Sequence, residues 1–291
     1  MKAIPIRNIN QAKEPATGRF SIRKVEDILK GEDMHHELHR HNVFFILIIE
    51  SGEGIHEIDF VPYPVMANSV FLLRPGQVHK LFLNAGTTGY LMEFDHEFHH
   101  PKEQSAILRL RKASSKNFCQ ADETHFNRLI TLTENIFEEC TNKLSSYHDV
   151  IRASLEIFFI ELVRQSSDPT GLQNNQSSYV QERFEEFTEL LAKHIATQKQ
   201  VSHYSGLMNL SSYQLNEISK TSVGKTASAM IDEYIVLEAK RYLLATPNQV
   251  KEIADQLGFE DPSYFIRFFK KHSGVSPDAF RKSLIKSYPT P

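Results

Sequence analysis

The stretch "FEDPSYFIRFFKKHSG", residues 259–274, packs five aromatic rings and three basic side chains into one short segment. Asp261 followed by Pro262 marks a helix start. The carboxylate can accept from a first-turn N–H, and proline at the first helical position lacks only a donor that would go unpaired there. At about 100° per residue the helix divides into two faces. Tyr264, Phe265, Phe268, Phe269 and His272 fall on one side, and Ser263, Ile266, Arg267, Lys270 and Lys271 on the other. The rings predict a buried face. The opposite face, polar and mostly basic, predicts a surface turned toward an anionic partner.

Just upstream, "VKEIADQLGF" (250–259) offers Ile253, Leu257 and Phe259 as core, with Ala254 small enough for a close helix crossing. Gly258 can take the positive φ of a tight turn. A short helix, a glycine turn and a second, capped helix make a helix-turn-helix, about residues 250–274. The same pattern occurs once before. In "VSHYSGLMNLSSYQLNEISKTSVGKTASAM" (201–230), Val201 corresponds to Val250, Tyr204 to Ile253, Ser205 to Ala254 and Leu210 to Phe259. After one extra residue in the later copy, Ser211 corresponds to Asp261, Leu215 to Phe265, Ile218 to Phe268, Lys220 to Lys270 and Gly224 to Gly274. The first unit therefore covers about 201–224.

Its outer face carries Tyr213, Asn216, Glu217, Lys220 and Thr221. Asparagine suits an adenine edge and glutamate can accept from cytosine N4. Ser211 and Ser212 at the helix N-terminus suit phosphate. Between the units, "TASAMIDEYIVLEAKRYLLAT" (226–246) is rich in helix formers and has no breaker, so a continuous helix is expected to join them. From Pro262 onward six basic side chains (Arg267, Lys270, Lys271, Arg281, Lys282 and Lys286) stand against one acid, Asp278, although the whole chain carries a formal charge of −3. That local excess favours phosphate binding.

The front of the chain reads differently. "VFFILII" (43–49), "IHEIDF" (55–60), "SVFLL" (69–73) and "YLMEF" (90–94) are short apolar or alternating runs between turn residues, as in a sandwich or small barrel. The period changes at "DETHFNRLITLTENIFEEC", where Phe126, Leu129, Ile130, Ile136, Phe137 and Cys140 recur at helical spacing behind Asp122, a plausible N-cap. "VIRASLEIFFIELVRQ" repeats the spacing with Ile151, Leu155, Phe158, Phe159 and Leu162. These two helices could pack back on the β domain or form a dimer seam. The polar, turn-rich "SSDPTGLQNNQSS" (166–178) reads as a linker. The expected organisation is α+β: a β-barrel over 1–100, a helical linker or dimerisation segment over 101–178, and an all-α domain with two helix-turn-helix units over 179–291.

On "IADQLGFEDPSYFIRFFKKHSGVSPDAFRKS" the chain resembles the AraC/XylS family of bacterial transcription regulators, over about residues 185–285. The resemblance implies two helix-turn-helix units joined by a long helix, double-stranded promoter DNA as partner, contact with RNA polymerase, and activation. The first unit departs from the family pattern: Leu215-Asn216-Glu217-Ile218-Ser219-Lys220 stands where members often carry an Arg, and Tyr234 stands where the linker helix commonly has one. "HRHNVFFILIIESGEGIHEIDF" and "LLRPGQVH" resemble more loosely the cupin-like effector domains attached to such regulators, which implies a small-molecule effector and a homodimer. The expected DNA-facing residues are Ser211, Ser212, Tyr213, Asn216, Glu217, Lys220, Asp261, Ser263, Ile266, Arg267, Lys270 and Lys271.

His39-x-His41 with His79 forms the rudiment of a metal-binding cupin, since three imidazoles suit a first-row ion. A metal cupin also calls for a glutamate soon after the His-x-His, and Phe45 and Ile46 stand there. His39, His41 and His79 are accordingly candidate ligand-binding residues, with no metal and no cofactor expected. The ordinary reading of the clustered histidines (His35, His36, His39, His41, His96, His99, His100) is exposed polar loops. Cys119 and Cys140 form no framework, and no run of about 18 apolar residues or signal-peptide core suggests a membrane or export, so a cytoplasmic protein is expected. No GxSxG, Walker or GxGxxG pattern occurs. The competing readings are a metal-dependent cupin enzyme with a DNA-binding tail, and a dimeric regulator that needs no ligand.

Overall fold

The structure, a computed structural model, describes residues 6–7, 19–101, 103–165 and 175–287. It divides into two compact units, residues 5–171 and residues 172–291.

The first unit contains β1 (Ile6–Arg7), β2 (Phe20–Lys24), α1 (Val25–Leu29), β3 (Met34–His41), β4 (Phe44–Ser51), β5 (Gly54–Ile58), β6 (Val61–Val65), β7 (Ser69–Leu73), β8 (Val78–Leu83), β9 (Thr88–Phe94), α2 (Gln104–Ala113), β10 (Phe118–Gln120), α3 (Glu123–Asn142) and α4 (Tyr147–Gln165). The described strands form two five-stranded sheets, ordered β1-β3-β8-β5-β6 and β10-β7-β4-β9-β2. β4 explains why its sequence is apolar without alternation. Phe45, Leu47 and Ile49 join the core that also holds Leu81 and Leu83 of the other sheet, while Phe44, Ile46 and Ile48 join a core with α3 and α4. A strand covered on both faces has no polar side to show.

The two helices left open by the sequence pack back on the β domain. Phe126, Leu129, Ile136, Ile151, Leu155 and Phe158 share one core with β4, β7 and β9. Asp122 caps α3 as expected, accepting from His125 N at 3.0 Å. Cys119 lies on β10 and Cys140 on α3, both as free thiols.

The second unit is helical: α5 (Asn175–His194), α6 (Val201–Leu207), α7 (Ser212–Val223), α8 (Ala227–Ala245), α9 (Val250–Gln256), α10 (Pro262–Ser273) and α11 (Pro277–Ser287). The linker assigned to 166–178 ends earlier, because α5 already begins at Asn175; residues 166–174 lie outside the described residues. One core runs through the whole unit, from Phe187 and Leu191 through Ile231 and Ala239 to Phe265 and Phe269. Phe265 and Phe269 are fully buried, and truncating either to alanine would cost about 3–5 kcal/mol. Arg281, counted above among the basic residues, is turned inward. Its guanidinium donates to the carbonyls of Leu243 and Asn248 at 2.9 and 2.7 Å and fastens α11 to the end of α8.

Candidate nucleic-acid interface and buried histidine centre

The repeat read from the sequence is a repeat of backbone hydrogen bonds. Met208 N donates to Tyr204 O and Leu257 N to Ile253 O, and Leu210 N donates to Ser205 O as Phe259 N does to Ala254 O. The turn residue sits in the left-handed region in both, Asn209 at φ 53° and Gly258 at φ +69°. The extra residue of the second unit, Glu260, follows this shared turn. Each second helix then ends on a left-handed glycine, Gly224 or Gly274.

The helix starts are made differently. Ser211 and Gln214 cap α7 reciprocally: Ser211 Oγ accepts from Gln214 N, and Gln214 Oε1 accepts from Ser211 N at 2.8 Å. Asp261 caps α10 alone, accepting from Ser263 N at 2.8 Å, with Pro262 at the first position. Asp261 was counted among DNA-facing residues, but its carboxylate is occupied as this cap and also faces Arg267 at 3.8 Å.

Ser263, Ile266, Arg267, Lys270 and Lys271 are all exposed on α10, as the helical wheel predicts. Tyr264 is a correction: assigned to the inner face, it is 55% exposed. It lies at the helix entrance beside Phe259, ahead of the first fully buried ring, Phe265. His272, also assigned inward, packs its ring on Phe268 at 4.6 Å and lies 3.9 Å from Asp232, the side chain only 23% exposed. On α7, Ser211, Ser212, Tyr213, Glu217 and Lys220 are exposed, Tyr213 most of all at 73%. Asn216 departs from its expected role. Its Oδ1 accepts from Ala227 N at 2.9 Å, so the amide ties α7 to the first turn of α8 and cannot make a bidentate adenine contact from that position. Glu217 and Lys220 pair at 3.1 Å and cancel each other's charge. The outer face of α10 is therefore strongly cationic, and that of α7 is nearly neutral.

In the first unit the structure brings His39, His41 and His79 together. Their Nε2 atoms form a triangle with every side 3.0 Å, and all three side chains are buried. Three local features produce this. A bulge in β3 shifts the register against β8 between His36 and His39, so that His39 and His41 face inward where Met34 and His36 did before it. His79 on β8 lies directly opposite His39. The "RPGQ" turn before it is pinned: Gly76 N donates to His41 O, Gln77 Oε1 accepts from Arg74 N, and Gln77 Nε2 donates to Asp59.

The second nitrogen of each ring is also engaged. His39 Nδ1 is 2.7 Å from the Glu37 carbonyl, His41 Nδ1 lies 3.2 Å from Glu93 Oε1, and His79 Nδ1 is 2.8 Å from His56 Nε2. Burial alone would raise the Glu93 carboxyl's pKa, but its contact with His41 and the charge of Arg23 at 3.3 Å hold it below the usual range. Burial, reinforced by the neighbouring histidines, lowers the pKa of His56 to about 3 and takes His79 well below an ordinary histidine. Phe45, standing where a cupin glutamate was sought, packs its ring on His41 and His79 at 5.2 and 4.9 Å. The sequence reading missed His56 and Glu93. The signal for His56 was the alternation of "IHEIDF", which puts it on the same face as buried Ile58. Glu93 had none, since it sits among apolar neighbours in "YLMEF". The exposed-loop reading of the histidines fails for His39 and His41, buried on β3, for His35 and His36, which lie on the same strand, and for His99, which is buried against Phe94 and Phe159, whereas His96 and His100 are exposed.

A helical unit with two such motifs, one helix face of which is densely cationic, behind a β domain with a polar centre, defines a DNA-binding transcription regulator with a ligand-binding front domain. Comparison with known proteins gives the family. A helix-turn-helix domain family matches residues 204–283, and the AraC-like ligand binding domain family matches residues 28–99. The chain belongs to the AraC/XylS family of regulators. It is 26% identical over 253 residues to the HTH-type transcriptional activator RhaS of Enterobacter sp. (strain 638), covering 84% of this chain and 87% of that one. It is 27% identical over 142 residues to the raffinose operon transcriptional regulatory protein RafR of Pediococcus pentosaceus, covering 48% of this chain and 50% of the relative. Among solved structures, the C-terminal domain of the two-component response regulator yesN from Fusobacterium nucleatum is 32% identical, covering 33% of this chain and 95% of that one, with a TM-score of 0.32. No helix among the described residues is long and apolar enough to cross a membrane.

Proposed function

We propose that the protein is a cytoplasmic, dimeric, non-enzymatic activator that binds promoter DNA through both helix-turn-helix units and answers to a small molecule held in its first unit, with contact to RNA polymerase as the output. The cationic outer face of α10 carries this reading. Arg267, Lys270 and Lys271 anchor phosphates, and Arg267 can also reach a guanine edge. Ser263 and Ile266 face bases near the start of α10, and Tyr213 and Glu217 do so from α7. α8, with 19 residues, is about 28 Å long and sets a spacing comparable to the roughly 34 Å between successive major grooves. Residues 1–100 act as the sensor, 101–178 as the segment holding the dimer contact, and 179–291 as the DNA-binding domain. Val150 and Ile157, exposed on α4 and seven residues apart, supply an apolar stripe for that contact. The activator role follows the RhaS relative, itself a transcriptional activator by name.

The test is the salt dependence of binding to promoter fragments selected by the protein from a random pool. Lys270→Ala is expected to weaken binding to all selected sequences and to reduce the log–log salt slope by about one. An unchanged slope would remove Lys270 from the phosphate backbone.

A further inference from the structure

The three Nε2 atoms of His39, His41 and His79 pose a chemical problem that the regulator reading does not use. The Glu37 carbonyl can only accept a hydrogen bond, so His39 Nδ1 at 2.7 Å carries the proton and His39 Nε2 presents a lone pair. Glu93 Oε1 lies 3.2 Å from His41 Nδ1 and, as a carboxylate, favours the proton on that nitrogen, so His41 Nε2 also presents a lone pair. These two nitrogens are 3.0 Å apart, and neither can donate to the other. A positive centre between them resolves the repulsion. A single proton on His79 can lie along only one side of the triangle, whereas a cation placed over its centre serves all three nitrogens.

We propose that the first unit binds one divalent first-row transition-metal ion through Nε2 of His39, His41 and His79, at a site held by Glu37, Glu93 and His56 behind the three rings. The dimensions fit. An ion about 2.1 Å from nitrogens spaced as these are subtends N–M–N angles of about 90°, the face of an octahedron, with the remaining positions open. A tetrahedral ion would need the nitrogens only slightly farther apart, at about 3.4 Å. Imidazole donors select ions such as zinc, cobalt, nickel and iron over magnesium or calcium. The support is that of a built site: each ligand's far nitrogen has a polar group within 3.2 Å, Glu93 stands behind His41 as a carboxylate behind a metal-binding histidine, and the Phe45 ring closes one side. Glu93 thus takes the supporting place, not the ligand place of the glutamate sought after His-x-His.

The full-length protein, stripped with a chelator and checked for a cooperative thermal transition, is titrated with Co²⁺ and then Zn²⁺. The expected result is one ion per chain, visible Co²⁺ ligand-field absorption that Zn²⁺ abolishes, and a rise in Tm with either ion. His39→Ala and His79→Ala should each weaken binding at least 100-fold. Glu93→Gln should weaken it about 10- to 100-fold with the absorption bands kept in place. Replacing the exposed His96 and His100 should change nothing. Folded wild-type protein that takes up no stoichiometric ion would overturn the proposal, and would leave a shared proton as the occupant of the triangle. Stoichiometric uptake that survives His39→Ala and His79→Ala would overturn it equally. Should those variants not fold, the wild-type stoichiometry and spectrum decide alone.

Discussion

The turn between α6 and α7 and the turn between α9 and α10 follow the same path, hydrogen bond for hydrogen bond, yet they are filled unequally. At the left-handed position the first unit has Asn209 and the second has Gly258. A Cβ on Gly258 would lie 1.9 Å from the carbonyl oxygen of Ala196, and Lys199 Nζ donates to the Gly258 carbonyl at 2.8 Å. The second turn is therefore pressed against the end of α5, and the first turn accommodates a side chain. The helices that follow differ in the same sense. α7 ties its polar groups to the protein itself: Asn216 to α8, Glu217 to Lys220, Gln214 to its own cap. α10 leaves Arg267, Lys270 and Lys271 outside. A fold repeated with one hydrogen-bond plan can thus assign scaffolding to one copy and anion contact to the other.

The largest test of this asymmetry lies in the turns. Gly258→Val combines backbone strain with a steric clash and is expected to cost about 3 kcal/mol or more in chemical denaturation. Asn209→Gly keeps an allowed conformation and should change stability by less than about 1 kcal/mol. Equal losses would mean that the two turns bear equal load. Next comes DNA affinity. Arg267→Ala and Lys270→Ala are each expected to weaken binding about tenfold at moderate salt, against less than about threefold for Lys220→Ala, whose charge is already paired. Comparable losses in fluorescence anisotropy titrations would restore symmetry to the two faces.

Smaller effects separate the ties that hold each helix. Asp261→Ala removes a cap and Asn216→Ala removes the acceptor for Ala227 N; each should lower stability by about 1 kcal/mol. Only Asn216→Ala should do so without weakening phosphate contact, because Asp261 also positions the start of the cationic helix. The smallest effect is a gain. Glu217→Gln releases Lys220 and should raise affinity for non-specific DNA about two- to threefold, visible at low salt and gone at high salt.

Much of the helical unit was legible because its rules are local. A cap, a glycine and a 3.6-residue period lie within one stretch of chain, and Asp261, Gly258, Phe265 and Phe269 all sit where those rules put them. The errors came where a side chain answers to a distant group. Asn216 lies on the outward half of the wheel but finds a backbone N–H eleven residues on. Tyr264 fits the aromatic face by angle yet precedes the point where α10 enters the core. The histidine centre was less legible still. His41 and His79 are 38 residues apart, His56 lies on a third strand, and the glutamate that supports them comes from β9 and not from the position next to His-x-His. Residue types and motif spacing suggested a ligand set, but no sequence period shows convergence across a sheet.

The bulge in β3 has a consequence for how this centre can arise or vanish. The bulge that absorbs one extra residue between His36 and His39 decides which way the rest of the strand points. Were the strand regular, the three-residue step from His36 would turn His39 and His41 toward solvent and leave Arg40 facing the interior, whereas a chain lacking Glu37 or Leu38 would keep both histidines inward with no bulge at all. The chemistry of the front domain is thus written in the backbone as well as in its letters, and related chains of one residue less in this strand can reach the same centre through a regular strand.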